Sequence, residues 1–256
     1  MRGNDMPVAL TIAGSDSGGE AGMQADLKTF ALLKVHGAGA ITCVTAQNRA
    51  AITRLEPCSP GMVRAQLEAV AAECAPAAAK TGMLYSAAIV REVAAFFRRA
   101  RRGPLVVDPV IISTSGRRLL QADGLAALKR ELLPLAALVT PNVAEAEILG
   151  GEKITAINDM RMAARRIHQL FGCAALVKGG HFHGTLEAVD FLCSARGEWV
   201  LSAPRIRAAA LHGTGCVYSA AITAWLARGC SLEKAVELGK NHVTREICKS
   251  VDQPRS

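Results

Sequence analysis

A glycine-rich segment near the end of the chain has the residue types of an anion-binding turn. His212-Gly213-Thr214-Gly215-Cys216 runs directly into an Ala-rich segment that predicts a helix. The start of a helix carries unpaired N–H groups and the positive end of the helix dipole, so it suits a phosphate or a developing negative charge. Cys216 lies in that first turn, where the same field favours a thiolate. A plain tight turn at Gly213 and Gly215 explains this segment equally well.

A second candidate group begins at Asn142, where a predicted strand ends and a predicted helix begins. The spacing of Asn142 and Glu145 places both side chains on the same side of the helix. Glu145 is therefore a candidate to hold Mg²⁺ through water. A glutamate in a first turn also stabilises a helix through its dipole, and that local role is the more common one.

Familiar nucleotide and metal motifs are absent from the sequence. There is no Gly-x4-Gly-Lys-Ser/Thr segment, which excludes a P-loop, and Tyr218 stands where a dinucleotide fingerprint after Gly213 needs its third glycine. His181 and His183 would point to opposite faces of a strand, which favours a loop role over a metal pair. The remaining chemistry is phosphoryl transfer without a P-loop, with Gly213–Cys216 as anion cradle and base.

Polar or glycine-rich residues recur at the ends of the predicted strands. They are Gly14-Ser15-Asp16, Gln47-Asn48, Asp108, Asn142 and Lys178-Gly179-Gly180. In open α/β sheets, ligands bind outside the carboxyl ends of the strands. We therefore expect these residues to converge on one rim of a sheet.

The elements that must position these residues alternate between strand and helix patterns. Apolar runs predict strands at 8–13, 40–46, 77–80, 105–107, 135–139 and 174–177, and a hairpin at 187–193 and 199–203. Helical spacing predicts helices at 21–35, 63–74, 89–97 and 119–132, short helices after 142, and two closing helices from about 215 and 231. This alternation predicts one α/β domain over residues 1–256, with a mostly parallel central sheet and helices on both faces.

Composition narrows the class of protein. The 256-residue chain is 50% hydrophobic but only 4% aromatic, and its formal charge of +8 favours an anionic ligand. The densest basic cluster, Arg98-Arg99 with Arg101-Arg102, ends a predicted helix, where it complements the helix dipole. Basic residues are not interleaved with aromatic ones, so we expect no nucleic-acid binding.

The eight cysteines lack the spacings of metal-binding and redox motifs. No two lie within four residues of each other, which excludes metal knuckles and CxxC redox motifs. No apolar run has membrane-spanning length and no signal peptide is recognised. We therefore expect a cytoplasmic protein with free thiols that does not bind membranes.

Taken together and in order, these segments resemble the hydroxymethylpyrimidine/phosphomethylpyrimidine kinases of thiamine biosynthesis. The resemblance extends over about residues 8 to 245. The matching segments are Ala9–Gly19 with Ala21–Lys28, Thr45-Ala46-Gln47-Asn48, Lys80–Leu84, Val107–Val110 with Ser115-Gly116, Thr140-Pro141-Asn142 with Glu145-Ala146-Glu147, Val177–His181 and His212–Cys216.

The resemblance implies a ribokinase-like fold, a homodimer and two successive phosphorylations that use ATP and Mg²⁺. The first would act on 4-amino-5-hydroxymethyl-2-methylpyrimidine and the second on its monophosphate. By the family pattern, Gln47 hydrogen-bonds the pyrimidine, and its pocket is lined by Asp26, Met83 and Gly14. The anion hole is formed by Gly213, Thr214 and Gly215, and Cys216 is the base. The magnesium motif is Asn142 with Glu145, Lys178 lies toward the nucleotide, and Asp108 lies near metal or phosphate.

The sequence also departs from the family pattern. Glu20 stands where a third glycine is usual, Arg49 where threonine is common, and Ala208–Leu211 where a polar stretch is usual. Loops at 113–116 and 181–184 are candidates for a lid over ATP. Alternative functions are a pyridoxal kinase, or a non-catalytic regulator that binds a pyrimidine or nucleotide.

Overall fold

A single mixed sheet runs through the part of the chain that the computed structural model describes, residues 6–48, 51–99, 103–113, 116–180, 187–206 and 213–252. Its strands are β1 (Val8–Asp16), β2 (His36–Gln47), β3 (Ile52–Pro57), β4 (Ala78–Thr81), β5 (Leu105–Val107), β6 (Leu138–Val139), β7 (Ala174–Lys178), β8 (Glu187–Ser194) and β9 (Gly197–Pro204). Their order across the sheet is β3-β2-β1-β4-β5-β6-β7-β8-β9.

The middle of the sheet is parallel and its margins are antiparallel. Strands β2, β1, β4, β5, β6 and β7 pair in parallel, whereas β3, β8 and β9 add antiparallel edges. The chain places β2 on one side of β1 and β4 on the other, so the order reverses at β1. Such a reversal opens a crevice at the carboxyl ends of β1 and β4.

Helices cover both faces of the sheet, as the sequence predicts. They are α1 (Gly22–Leu32), α2 (Pro60–Glu73), α3 (Ala87–Arg99), α4 (Ala122–Ala127), α5 (Val143–Gly150), α6 (Ile157–Phe171), α7 (Thr214–Ala227) and α8 (Leu232–Asp252). One apolar core packs α2 to α6 against the sheet, and a second core on the opposite face contains α1, α7 and α8. Both sets are needed because a parallel sheet buries both of its faces.

Several boundaries differ from the sequence prediction; for example, β2 begins at His36 rather than at 40, and α2 begins at Pro60 rather than at 63. The strand predicted at 135–139 is only Leu138–Val139, because Leu133–Leu135 forms a 3₁₀ turn around Pro134. The helix predicted from 119 begins at Ala122, since the Leu119 amide bonds instead to the Ile111 carbonyl. The helices after Asn142 are not both short, because α6 has 15 residues.

Edge strand β3 was not predicted. None of its residues is fully buried and most are exposed, and it carries the exposed ion pair Arg54–Glu56. Charged edge strands lack the apolar signal that marks interior strands.

The predicted hairpin is confirmed as β8 and β9. None of the helices described is long and apolar enough to cross a membrane.

Candidate active site

The loop after β1 is organised by one carboxylate. Asp16, at the end of β1, accepts hydrogen bonds from the amides of Gly18, Glu20 and Ala21 at 2.8, 3.1 and 2.8 Å. These contacts fold residues 17–21 back toward the sheet before α1 begins. The Asp-Ser-Gly-Gly composition predicts a loop here, but sequence analysis missed the role of Asp16 in shaping it.

Gly14 and Met83 lie next to each other at the crevice. A Cβ atom on Gly14 would lie 2.6 Å from Met83 Cε and 3.6 Å from the Cys43 carbonyl oxygen. The backbone of Met83 is held in place, because its carbonyl oxygen accepts a hydrogen bond from the Thr42 hydroxyl at 2.5 Å. A glycine at position 14 therefore leaves room for the Met83 side chain at the carboxyl edge of β1.

Gln47 ends β2 beside the same loop. Its amide and the Ser17 hydroxyl oxygen are 2.8 Å apart, and the Ser17 hydroxyl lies 2.9 Å from the Gln47 carbonyl oxygen. The Gln47 side-chain oxygen accepts from the Thr45 hydroxyl at 3.4 Å. The backbone of Gln47 is thus tied to the β1 loop, and its carboxamide is partly exposed.

The backbone at the start of α7 lies against the β1 loop. Gly213 has φ +82, and a Cβ atom there would lie 1.9 Å from the Glu20 carbonyl oxygen. A side chain at position 213 is therefore excluded both by space and by backbone conformation. On the other side of this turn, a Cβ atom on Gly215 would lie 3.4 Å from Lys178 Nζ. The glycine turn thus lies between the β1 loop and Lys178.

Two buried residues form an ion pair beneath this turn. Lys80 on β4 donates to Asp26 on α1 at 2.8 Å, and the Thr11 hydroxyl donates to the same carboxylate at 2.6 Å. Both charged side chains have no exposed surface. The structure therefore places Asp26 under the site rather than on a pocket wall, because both carboxylate oxygens are engaged inside the protein.

The pair puts a positive charge beneath Cys216. Burial lowers the pKa of Lys80, but the negative charge of Asp26, with Cys216 and Asp108, outweighs this and holds it above its ordinary value. Lys80 therefore stays charged at neutral pH. Its charge in turn lowers the pKa of Cys216.

Two effects oppose each other at Cys216. Burial raises the pKa of Cys216 to about 11, and Lys80 and a hydrogen bond from the Gly22 amide offset only part of that rise. Desolvation therefore opposes the thiolate that the helix start favours. The role of Cys216 as a thiolate stays a prediction.

Asp108 joins the two sides of the site. Its carboxylate accepts from Lys178 Nζ at 3.0 Å and from the Thr140 hydroxyl at 3.2 Å on one oxygen, and from the Ser219 hydroxyl at 3.1 Å on the other. Lys178 and Asp108 therefore meet, as the strand-end pattern predicts. Ser219, on α7, was missed because a helical serine has no distinguishing sequence signal.

Asn142 and Glu145 form a reciprocal cap at the start of α5. Glu145 N–H donates to the Asn142 side chain at 2.9 Å, and Asn142 N–H donates to Glu145 at 3.0 Å. The second Glu145 oxygen accepts from the Ile111 amide at 3.1 Å. Burial raises the pKa of Glu145, although Lys178 opposes the rise. The local helix-stabilising role is therefore present.

The described residues contain no group of three or more His, Cys, Asp or Glu side chains placed to hold a metal ion. Both oxygens of Glu145 already accept backbone N–H groups, so a metal here would be reached through water and ligand oxygens. His212, Arg49, Ala208–Leu211 and the 181–184 loop lie outside the described residues, as do two residues of the 113–116 loop.

Comparison with known proteins gives concordant results. A family model described as phosphomethylpyrimidine kinase matches residues 16–255. The hydroxymethylpyrimidine/phosphomethylpyrimidine kinase of Synechococcus elongatus is 43% identical over 246 residues, which is 96% of this chain and 93% of that protein.

Solved structures agree with these relatives. The phosphomethylpyrimidine kinase of Clostridium difficile has a TM-score of 0.83 and 39% identity, covering 94% of this chain and 99% of the other. The pyridoxal kinase of Staphylococcus aureus, solved in complex with ADP, has a TM-score of 0.86 and 33% identity, covering 94% and 88%. These similarities confirm the ribokinase-like fold expected from the resemblance.

The raised pKa of Cys216 predicts how its reactivity depends on pH. We expect alkylation of Cys216 by iodoacetamide to keep rising with pH above 9, the ordinary thiol value, toward about 11. Lys80→Met removes the charge that stabilises the thiolate and should shift this profile further upward. Peptide mass spectrometry follows the modification, with Cys216→Ser to assign it and the exposed Lys153→Met as a matched control. A plateau below pH 9 would contradict the burial argument.

Proposed function

The chain belongs to the phosphomethylpyrimidine kinase family, and we propose that it phosphorylates 4-amino-5-hydroxymethyl-2-methylpyrimidine with ATP and then phosphorylates the resulting monophosphate. One observation supports this most directly. The glycine turn at the start of α7 touches the β1 loop on one side and approaches Lys178 on the other. A phosphoryl group bound at this turn would lie between an acceptor near Gly14 and Met83 and a nucleotide near Lys178.

On the phosphate side, the chain would act through fixed charge and N–H groups. The amides of Gly213, Thr214 and Gly215 would form the anion hole, because a helix start has unpaired donors. Lys178 would neutralise nucleotide phosphate, and Asp108 holds its amine in place at 3.0 Å. Preorganised donors of this kind stabilise charge that develops in the transition state.

On the acceptor side, Gln47 and Met83 would recognise the pyrimidine. A carboxamide both donates and accepts hydrogen bonds, which matches an aminopyrimidine edge. Met83 would pack against the flat ring, and Gly14 would contribute backbone. Asp26 would not touch the ring, but would hold the charged Lys80 in place beneath the glycine turn of α7.

Cys216 would orient the acceptor hydroxyl and take its proton through the thiolate. Its pKa of about 11 makes the thiolate a minor species at neutral pH. A weak base is sufficient, since phosphoryl transfer depends mostly on positioning and charge stabilisation. The charge of Lys80 beneath the thiol favours this thiolate.

The magnesium role is assigned to Glu145 with Asn142. A buried carboxylate whose oxygens keep a free lone pair can hold a hydrated Mg²⁺ through water. When bound, the ion would neutralise charge on the phosphates of ATP. Hydrogen bonds from the Asn142 and Ile111 amides would fix the orientation of the Glu145 carboxylate.

A substrate panel tests the proposed function. ADP formation is measured with the hydroxymethylpyrimidine, its monophosphate and pyridoxal, each with Mg²⁺ and with chelator. We expect turnover on both pyrimidines, poor turnover on pyridoxal, and loss of turnover with chelator. Preference for pyridoxal would assign the chain to the activity of its structural relative from Staphylococcus aureus. Pyrimidine binding without any turnover would indicate a regulator.

Two substitutions should separate binding from chemistry. Gln47→Ala should weaken pyrimidine binding by about 1–3 kcal/mol with little change in kcat, because hydrogen bonds to the ring are lost. Cys216→Ser should lower kcat by about 10²-fold and leave the pyrimidine KM nearly unchanged. Steady-state kinetics measures both, and each variant is the control for the other. An unchanged KM in Gln47→Ala, or full activity in Cys216→Ser, would remove that residue from its role.

We further propose one kinase domain per chain, a homodimer and a cytoplasmic location. All strands described share one sheet, which supports a single domain. All eight cysteines are free thiols, which supports a reducing compartment. The homodimer follows the family resemblance, and sedimentation velocity should give about twice the 26.9 kDa chain mass. A monomer at micromolar concentration would contradict it.

A further inference from the structure

A second buried ion pair lies behind the turn that follows β7. Lys240 on α8 donates to Asp190 on β8 at 2.7 Å and to the Ala188 carbonyl oxygen at 2.9 Å. Both charged side chains are more than nine-tenths buried. This pair lies on the face of the sheet that α7 and α8 cover.

The other carboxylate oxygen of Asp190 accepts a hydrogen bond from the backbone of the turn. Gly179 N–H donates to Asp190 Oδ1 at 2.9 Å, and Lys178 and Asp190 face each other in the antiparallel pairing of β7 with β8. The turn is also packed tightly, since a Cβ atom on Gly179 would lie 2.2 Å from the Val189 carbonyl oxygen. A hydrogen bond from Gly179 to Asp190 therefore holds the backbone after β7, and the space beside Gly179 admits no side chain.

The same turn begins at Lys178. The Lys178 amide donates to the Pro141 carbonyl oxygen at 2.9 Å, so its backbone is held by the strand end next to it as well. Its side chain then reaches Asp108 and the glycine turn of α7. A shift of Gly179 would move Lys178, because the two residues share a peptide bond.

Stability alone gives a weak reason for the Asp190–Lys240 pair. Burying two charges costs much of what their attraction returns, and apolar residues of similar volume often replace such pairs without loss of stability. An apolar pair, however, offers no acceptor to Gly179. The chemistry that the charged pair adds at this place is therefore a fixed, negatively charged hydrogen-bond acceptor for the turn.

We propose that Asp190, held by Lys240, is a positioning residue for nucleotide binding, which it supports by fixing the Lys178–Gly180 turn. Neither residue touches the nucleotide. The inference rests on the proposed nucleotide role of Lys178 and extends it to residues on β8 and α8. It places part of the determinant of nucleotide affinity on β8 and α8, on the face of the sheet that also carries α7.

The decisive variant is Asp190→Leu/Lys240→Met, which keeps volume but removes the acceptor. Isothermal titration with ADP and Mg²⁺, without pyrimidine, should show a dissociation constant raised about 10-fold, while Tm stays within about 4 °C. The pyrimidine KM at saturating ATP should be unchanged. Asp190→Asn/Lys240→Gln, which keeps an oxygen for Gly179, should bind ADP within about 3-fold of wild type.

The matched control removes an exposed pair from the same helix. Glu246→Leu/Lys249→Met breaks the 2.8 Å ion pair near the end of α8 and should leave ADP affinity unchanged. If the first double variant does not fold, Asp190→Ser/Lys240→Met replaces it, because a serine hydroxyl is polar but stops short of Gly179. The same loss of ADP affinity is expected from it.

The outcomes separate this inference from the proposed function. Wild-type ADP affinity in a folded variant without the acceptor overturns the inference, as does an equal rise in the pyrimidine KM. A wild-type protein that does not bind ADP also overturns it. Failure of the wild type to phosphorylate pyrimidines, with ADP still bound, refutes the proposed substrate and leaves the positioning inference to be decided by the titrations.

Discussion

The buried contact between Lys80 and Asp26 is the constraint on which the site depends. It joins β4 to α1 at 2.8 Å with Thr11 of β1 as a third partner, directly under the start of α7. Removing two charges from water is costly, so a buried pair is stable only when the two groups keep the geometry of their contact. The pair therefore fixes the separation of β1, β4 and α1 at the crevice where the order of the sheet reverses.

The fold follows from the sequence wherever burial gives a clear period. Interior strands such as β1 and β7 are short apolar runs, and amphipathic helices such as α3 and α6 repeat at helical spacing. The prediction missed β3, which is polar on an edge, and misplaced boundaries around Pro134, where a 3₁₀ turn replaces strand. These segments are determined by neighbours in the sheet rather than by their own pattern.

The site was predictable in position but not in its electrostatics. Residues at strand ends, such as Asp108 and Lys178, meet because parallel strands deliver their carboxyl ends to one edge. The raised pKa of Cys216 and the loss of solvent around Asp26 come from burial in the folded protein, which a sequence does not display. The hydrogen bonds from the loop amides to Asp16 and from Gly179 to Asp190 join backbone to side chain, and no sequence motif marks them.

The contact between Gly213 and the Glu20 carbonyl oxygen also has a consequence for synthesis on the ribosome. The first strand and its loop emerge before α7, which completes the site and follows all of the described strands in the chain. Contacts between such distant segments form late, because closing a long loop must precede them. A nascent chain would therefore hold an unfinished phosphate site until α7 has been translated.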